Sequence, residues 1–324
     1  MSKKILTGIT PSGKPHLGNI LGAILPAIEL SKNKDNACYY FISDYHSLTS
    51  NKDPLLVHDY TFHIAATWLA FNYQLDNNYL YRQSKLKSVC ELAWILGTIT
   101  PYAKLLKSHA FKDKSDNLSD VNVGLFYYPI LMTADILLFN ADVIPVGSDQ
   151  KQHIEIARDI AIKFNNTYGE TFTVPEAMIR EDTALVVGVD GRKMSKSYNN
   201  YIDIFAPKNQ LKKTINSIVT DSKGVAESKD YETCNVYKIY SALADQDDIL
   251  QMQHKYTAGN YGYGQAKAEL LELILTKFGE QIERRQYYID HPDMVYDLLT
   301  TSENKLLASS EAFVDTVKAK VGLY

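Results

Sequence analysis

The first 205 residues alternate short strand-like segments with longer helix-like ones, and this order restricts the fold more than any other feature of the chain. The segments KKILTGI, ACYYFISDYHSLT, NYLYRQS and ADVIPVG have the apolar character of buried strands. Apolar residues recur at helical spacing between them. A repeated strand–helix order predicts a parallel sheet, because each connection between parallel strands crosses a face of the sheet. We therefore predict an α/β fold, a Rossmann-like parallel sheet with helices on both faces.

The pattern changes after Phe205. From there onward each long segment, such as GQAKAELLELILTKFGEQIERRQYY, has a helical period. This predicts a mostly helical C-terminal domain. We place a catalytic domain at residues 1–205, a helical domain at residues 206–295, and a last helix at residues 296–324 that packs back on the catalytic domain.

Composition narrows the classes of function. The formal net charge of −4 gives no global argument for nucleic acid, so a tRNA or DNA partner would have to meet a local basic patch. Cys38, Cys90 and Cys234 are far apart, which predicts neither a disulfide framework nor a zinc site. A strand begins at once after the N-terminus, which leaves no room for a signal peptide. The longest apolar stretch is interrupted by Asp135, which favours a buried element over a membrane span. We expect a cytoplasmic protein.

The turn GITPSGKPHLGN, residues 8–19, has two possible interpretations. G-x-x-x-x-G-K suggests a P-loop, but Pro11 and Pro15 lack the N–H groups that cradle phosphates, and no hydroxyl residue follows the lysine. In the other interpretation, His16, Gly18 and Asn19 open a helix whose N-terminus favours phosphate. The alternative is that the histidine and asparagine simply cap the helix.

A second motif, GRKMSKS at residues 191–197, supports the nucleotide-binding interpretation. Lys193 and Lys196 stand three residues apart in a glycine-containing loop that follows a strand-like segment. Such lysines can neutralise a triphosphate as charge builds on pyrophosphate. The simpler alternative is a solvated basic turn. The two motifs in this order, about 180 residues apart, make coincidence improbable.

These two motifs resemble the H-I-G-H and K-M-S-K-S signatures of the class I aminoacyl-tRNA synthetases. More narrowly, the chain is similar to the tryptophanyl-tRNA synthetase subgroup, and the segment from Tyr128 to Asp159 carries that resemblance best. The resemblance implies activation of L-tryptophan with ATP and Mg²⁺, followed by transfer to tRNA(Trp). It also implies a homodimer, anticodon binding by residues 206–295, and no tightly bound cofactor or metal site of the protein's own.

The resemblance further implies which residues bind ATP. Asp149 would meet a ribose hydroxyl, and Met194 would approach adenine through its backbone. Lys112 would reach the phosphates, although a solvated surface lysine explains it equally well. The implied ATP-binding residues are Thr10, Ser12, His16, Gly18, Asn19, Gly147, Asp149, Gln150, Lys193, Met194, Ser195 and Lys196. The implied catalytic residues are His16, Asn19, Lys112, Lys193 and Lys196.

The implied tryptophan pocket centres on Asp135. A carboxylate in an apolar segment needs a hydrogen-bond donor, and an indole N–H can serve. Met132 lies one helical turn earlier, on the same face. Tyr128 and Gln150 match positions that hold the ammonium group, and His46 is a pocket residue without an assigned role. The full set is Leu6, Gly8, His46, Tyr128, Met132, Asp135 and Gln150, with Ile9 in the wall.

One departure from the family and several alternatives stand beside this interpretation. Thr10 occupies a position where the family usually has glutamine. Tyrosyl-tRNA synthetase shares the fold and both signatures. A small-molecule adenylyltransferase uses a similar turn but does not need the helical last third. A catalytically silent, synthetase-like RNA-binding protein would have no reason to keep both lysines of K-M-S-K-S.

Overall fold

The computed structural model describes residues 3–75, 78–106, 121–147, 150–179 and 186–323. Its sheet has five parallel strands in the order β3-β2-β1-β4-β5. The predicted α/β class is confirmed. The fifth strand was not predicted. The strands are β1 (Lys4–Ile9), β2 (Ala37–Ile42), β3 (Asn78–Arg82), β4 (Val143–Val146) and β5 (Glu176–Ile179).

Helices fill the connections and the C-terminal part of the chain. Those before residue 200 are α1 (Leu17–Asn19), α2 (Leu25–Lys32), α3 (Asp44–Ser47), α4 (Pro54–Ala70), α5 (Ser88–Ile99), α6 (Tyr102–Leu106), α7 (Val123–Leu138) and α8 (Lys151–Tyr168). The later ones are α9 (Lys208–Asn216), α10 (Asn235–Ser241), α11 (Gln246–Ala258), α12 (Tyr263–Asp290) and α13 (Pro292–Lys320). The predicted, mostly helical C-terminal part is confirmed.

Helices cover both faces of the sheet, as predicted. Side chains of successive strand residues point to opposite faces. Phe41 belongs to a buried apolar cluster with residues of α5, α7, α8 and α13. Its neighbour Tyr40 packs against Trp68 of α4, with ring centroids 5.1 Å apart, and its hydroxyl donates to the Ala27 carbonyl at 2.6 Å.

The first helical region is irregular next to Pro26, where the sequence predicts a kink. A π-helical segment, Ile20–Ile24, joins α1 to α2, and the Leu25 N–H donates to the Ile20 carbonyl five residues back. Proline has no N–H to continue an α-helical ladder. The wide π turn therefore lies directly before the residue that cannot complete a normal turn.

The last helix covers the edge strand β3. The Ser302 hydroxyl of α13 accepts from the Leu80 N–H at 3.0 Å. Glu303 accepts from the Arg82 backbone N–H at 3.0 Å and from its guanidinium at 2.7 Å through both carboxylate oxygens. An edge strand exposes unpaired backbone groups, and α13 satisfies two of them on β3.

The chain forms two compact units. Unit 1 comprises Met1–Lys14, Ala27–Arg180 and Pro292–Tyr324, and unit 2 comprises Pro15–Pro26 and Glu181–His291. The limits of these units differ from the boundary drawn at residue 205, because residues 15–26 and 181–205 group with the helical segment. In unit 2, for example, the Leu17 N–H donates to the Ile202 carbonyl at 2.9 Å. No helix among the described residues is both long enough and apolar enough to cross a membrane.

Candidate active site

The strand order places a ligand-binding edge within unit 1. β1 lies between β2 and β4, so the strand order reverses at the β1–β4 pair. Crevices form beyond the carboxyl ends of strands at such a point. Leu6 of β1 is buried, and Gly8 follows it on the same strand. A Cβ at Gly8 would approach the Phe41 ring to 2.5 Å, so this close packing requires glycine.

Asp135 of α7 is a buried carboxylate of this unit, with 2% of its surface exposed. The amide nitrogen of Gln83 donates to both of its oxygens, at 2.9 and 2.8 Å. Burial raises the pKa of Asp135 well above its usual value, and the Gln83 hydrogen bond opposes that shift. The group is a hydrogen-bond acceptor held in an apolar setting, suited to a polar donor on an otherwise apolar ligand.

Two further predicted pocket residues lie near Asp135. His46 Nδ1 is 2.9 Å from the Gln83 amide nitrogen and 3.8 Å from an Asp135 oxygen. The Tyr128 ring lies 6.4 Å from the His46 ring, centroid to centroid, in an edge-on arrangement. Burial raises the pKa of Tyr128 to about 12, so its hydroxyl stays protonated at neutral pH.

Met132 is partly buried against the apolar cluster, on the same helix as Tyr128 and Asp135. Sequence reasoning missed Gln83 and His153. The Nε2 atom of His153 lies 2.8 Å from the Tyr128 hydroxyl. Gln83 comes directly after β3, so the rule that polar residues at strand ends form sites could have found it.

The remaining predicted residues of unit 1 that the structure describes lie near the ends of β1 and β4. Thr10, which departs from the glutamine expected at this position, has a hydrogen-bond partner: its hydroxyl bonds to the Ser43 hydroxyl at 2.9 Å. Ser12 is exposed. The Gln150 N–H donates to the Gly147 carbonyl at 3.0 Å. Asp149 and Lys112 lie outside the described residues.

In unit 2, His16 and Asn19 cap α1. The His16 N–H donates to the Asn19 side chain at 3.1 Å, and the Asn19 N–H donates to His16 Nδ1 at 3.4 Å. Burial, together with the nearby charge of Lys196, lowers the pKa of His16 to about 4. His16 is therefore neutral at pH 7 and can offer a hydrogen bond.

Unit 2 brings the two signature motifs together. The Gly18 N–H points at the Met194 sulfur at 3.3 Å, across 176 residues of sequence. The Met194 N–H is engaged by the Val186 carbonyl at 2.9 Å. The predicted strand before the loop is reduced, among the described residues, to an isolated bridge between Val187 and Lys193.

Asn200, which is buried, organises the loop that carries the two lysines. Its side-chain oxygen accepts from the Ser195 N–H at 2.7 Å, and its nitrogen donates to the Lys193 carbonyl at 3.1 Å. Burial lowers the pKa of Lys196 to about 8, which Asp203 partly opposes. Neither lysine ammonium bonds to a described residue, so both cations are available to a ligand.

The two units thus offer different chemistry. Unit 1 has a buried acceptor, Asp135, and unit 2 has two available cations, Lys193 and Lys196, beside a helix cap. Within the described ranges, no group of three or more His, Cys, Asp or Glu side chains could hold a metal ion.

A family profile described as tRNA synthetases class I (W and Y) matches residues 2–279. The chain belongs to this family of class I aminoacyl-tRNA synthetases. The family predicted from the two signature motifs is therefore confirmed.

Relatives in this synthetase family cover the whole chain. A tryptophan–tRNA ligase of Campylobacter jejuni is 41% identical over 99% of this chain and 100% of its own length. One of Fusobacterium nucleatum is 43% identical over 99% of this chain and 98% of its own length. The crystal structure of the Campylobacter jejuni tryptophanyl-tRNA synthetase complexed with ADP and tryptophan has a TM-score of 0.93, covering 99% of this chain and 100% of that one.

Proposed function

We propose that this chain is a tryptophan–tRNA ligase, which joins L-tryptophan to tRNA(Trp) at the expense of ATP. The observation that supports this most is the buried Asp135 carboxylate, whose pocket offers an acceptor for the indole N–H. The full-length relatives that bear this name support the same substrate. Phenylalanine has no donor to pair with Asp135, and a site built around a polar partner penalises ligands that leave it unpaired. Tyrosine carries a hydroxyl donor, so its exclusion would rest on the length of the pocket as well as on this hydrogen bond.

In the proposed first step, a tryptophan carboxylate oxygen attacks the α-phosphorus of ATP. A new P–O bond forms, the bond to the bridging oxygen breaks, and pyrophosphate leaves. Lys193 and Lys196 stabilise the charge that grows on pyrophosphate, and neutral His16 donates a hydrogen bond to a phosphate oxygen. Mg²⁺ enters with ATP and adds positive charge at the phosphates.

In the proposed second step, a ribose hydroxyl of the terminal adenosine of tRNA attacks the tryptophanyl carbonyl, and AMP leaves. The helical residues 206–295 would bind the anticodon. Of the candidate cations there, Arg284 pairs with Glu280, and Arg285 is buried against the Phe205 ring. The exposed lysines Lys208, Lys212 and Lys213 of α9 are therefore the better tRNA contacts.

The family resemblance also suggests a homodimer, and unit 1 has a surface suited to it. Trp94 of α5 is 72% exposed, Tyr102 of α6 is 66% exposed and Val123 of α7 is 80% exposed. Exposed apolar side chains on neighbouring helices favour a protein interface. Light scattering should give twice the 36.6 kDa mass of one chain. A monomer at micromolar concentration would contradict this part of the proposal.

ATP–pyrophosphate exchange with each amino acid in turn tests the proposed activity. Exchange should depend on tryptophan and be lower by several orders of magnitude with tyrosine and phenylalanine. Aminoacylation of tRNA(Trp) should follow. Exchange that depends on tyrosine would establish tyrosyl-tRNA synthetase instead, and no exchange with any amino acid would favour a silent relative.

A further inference from the structure

Gln83 links the residues of the tryptophan pocket. It is the first residue of a short 3₁₀ turn, Gln83–Lys85, and is 1% exposed. Its amide nitrogen lies 2.8 Å from the nearer Asp135 oxygen and 2.9 Å from His46 Nδ1. An amide nitrogen carries two protons. Gln83 can therefore donate one to the carboxylate and the other to the imidazole.

The charge of Asp135 decides how this amide is oriented. Turning the Gln83 amide over would place its carbonyl oxygen against the carboxylate, and two acceptors repel each other. An ionised Asp135 therefore keeps the nitrogen of Gln83 turned inward. His46 Nδ1 lies 2.9 Å from that nitrogen and 3.2 Å from the Gln83 carbonyl oxygen, so the imidazole can meet the amide in either tautomer.

Asp135 depends on this amide for the hydrogen bonds that orient its carboxyl group. Both hydrogen bonds that its carboxylate accepts within the described residues come from Gln83. No lysine or arginine of the described chain pairs with it. The other titratable groups that face it are His46, Asp44, Tyr81 and Cys90, and the last three can only add negative charge. A buried carboxylate without a donor takes up a proton.

The backbone holds Gln83 firmly on both sides. Before it, Arg82 is fixed to Glu303 of α13 through its backbone N–H and its guanidinium. After it, Ser84 donates its N–H at 2.9 Å and its hydroxyl at 2.5 Å to the Asp44 carboxylate. A side chain whose neighbours are anchored in this way is pre-oriented before any ligand binds.

We propose that Gln83 is a positioning residue for the selection of tryptophan: its amide holds the Asp135 carboxyl group turned to accept the indole N–H. This inference rests on the proposed function. Gln83 acts through Asp135 and does not need to touch the substrate. Its removal should therefore affect only those amino acids that carry the N–H.

Gln83→Met tests this, because methionine has a similar length and no amide. ATP–pyrophosphate exchange is measured with tryptophan and with 3-benzothienyl-L-alanine, in which sulfur replaces the N–H. We expect kcat/KM for tryptophan to fall about 10- to 100-fold, the usual effect of losing a hydrogen bond to a charged group. The value for the sulfur analogue should stay unchanged or rise. Equal losses for both amino acids would overturn the proposal.

A double-mutant cycle with Asp135→Ala provides the control. In the Asp135→Ala background, Gln83→Met should have no further effect on tryptophan use, because the acceptor that it positions is already gone. Additive losses would show that Gln83 acts independently of Asp135. Wild-type protein without tryptophan-dependent exchange would instead overturn the proposed function.

Gln83→Glu provides a second test if the Gln83→Met variant does not fold. Two carboxyl groups at this distance share one proton. The protonated pair can still hold Asp135, so tryptophan use should persist at low pH. It should fall as pH rises toward 8 and the shared proton is lost, while wild type shows no such fall below pH 8. A pH profile identical to that of wild type would also overturn the proposal.

Discussion

The two groups of candidate site residues hold their charges in opposite ways. In unit 1, the Asp135 carboxylate is buried and its hydrogen bonds come from a side chain that is itself buried. In unit 2, Lys193 is exposed, Lys196 is half-buried, and neither ammonium bonds to a described residue. A site that must recognise one amino acid benefits from groups fixed in advance. A site that must follow charge as it moves from ATP to pyrophosphate benefits from cations free to do so.

Asp135→Ala should produce the largest effect. It removes the acceptor, so tryptophan-dependent exchange should lose about 10³-fold in kcat/KM, whereas KM for ATP should change little. Asp142→Asn is the matched control. Asp142 lies at the amino ends of strands β1 and β4, away from the carboxyl ends, and it accepts the Lys4 N–H at 2.8 Å. If kcat/KM for tryptophan and KM for ATP changed equally, the distinction between the candidate site residues of unit 1 and those of unit 2 would be wrong.

Lys196→Gln should reduce kcat by about 100-fold through lost stabilisation of pyrophosphate, with KM for tryptophan nearly unchanged. Arg192→Gln removes a positive charge from the same loop, but that charge is already paired with Asp190 at 2.6 Å. This control should stay within about threefold of wild type, because exposed pairs contribute little. Similar losses in both variants would mean that total loop charge matters and the position of Lys196 does not.

The pH dependence gives a smaller and graded effect. Lys196 acts as a cation, and burial lowers its pKa to about 8. Its charge is therefore present below pH 8 and lost as pH rises through that value. The kcat/KM for ATP, which reports the free protein, should decline above pH 8. Lys196→Arg should shift this decline upward, because arginine stays protonated. A wild-type profile of kcat/KM for ATP that is flat to pH 10 would contradict this role of the Lys196 charge.

The features that local pattern determines were predictable from the sequence. The helical period and the spacing of Met132 and Asp135 placed both on α7, and strand ends placed His46 near the same edge. β5 was missed because Glu176–Ile179 is a four-residue edge strand with two exposed residues and one weak apolar alternation. A segment this short carries too little periodicity to separate it from a loop.

The features that depend on distant contacts were not predictable in this way. Nothing in the string Y-R-Q-S distinguishes Gln83, whose partners His46 and Asp135 are 37 and 52 residues away. Asn200 organises the lysine loop through hydrogen bonds that no motif records. The grouping of residues 15–26 with unit 2 likewise depends on contacts such as that between Gly18 and Met194. Long-range packing overrides local pattern for Gln83 and for residues 15–26, whereas Asn200 bonds to residues only five and seven positions away.

The contact between α13 and β3 also has a consequence for the order in which the chain folds. Leu80 and Ser302 are 222 residues apart, so their hydrogen bond closes a very long loop. During synthesis, β3 emerges long before the helix that covers it. Contacts of such separation form late, because the entropy of closing the loop is lost before they can contribute. The edge of the sheet beside Gln83 therefore stays uncovered until residues 292–320 have been made, and the proposed tryptophan pocket is among the last parts of unit 1 to reach its final form.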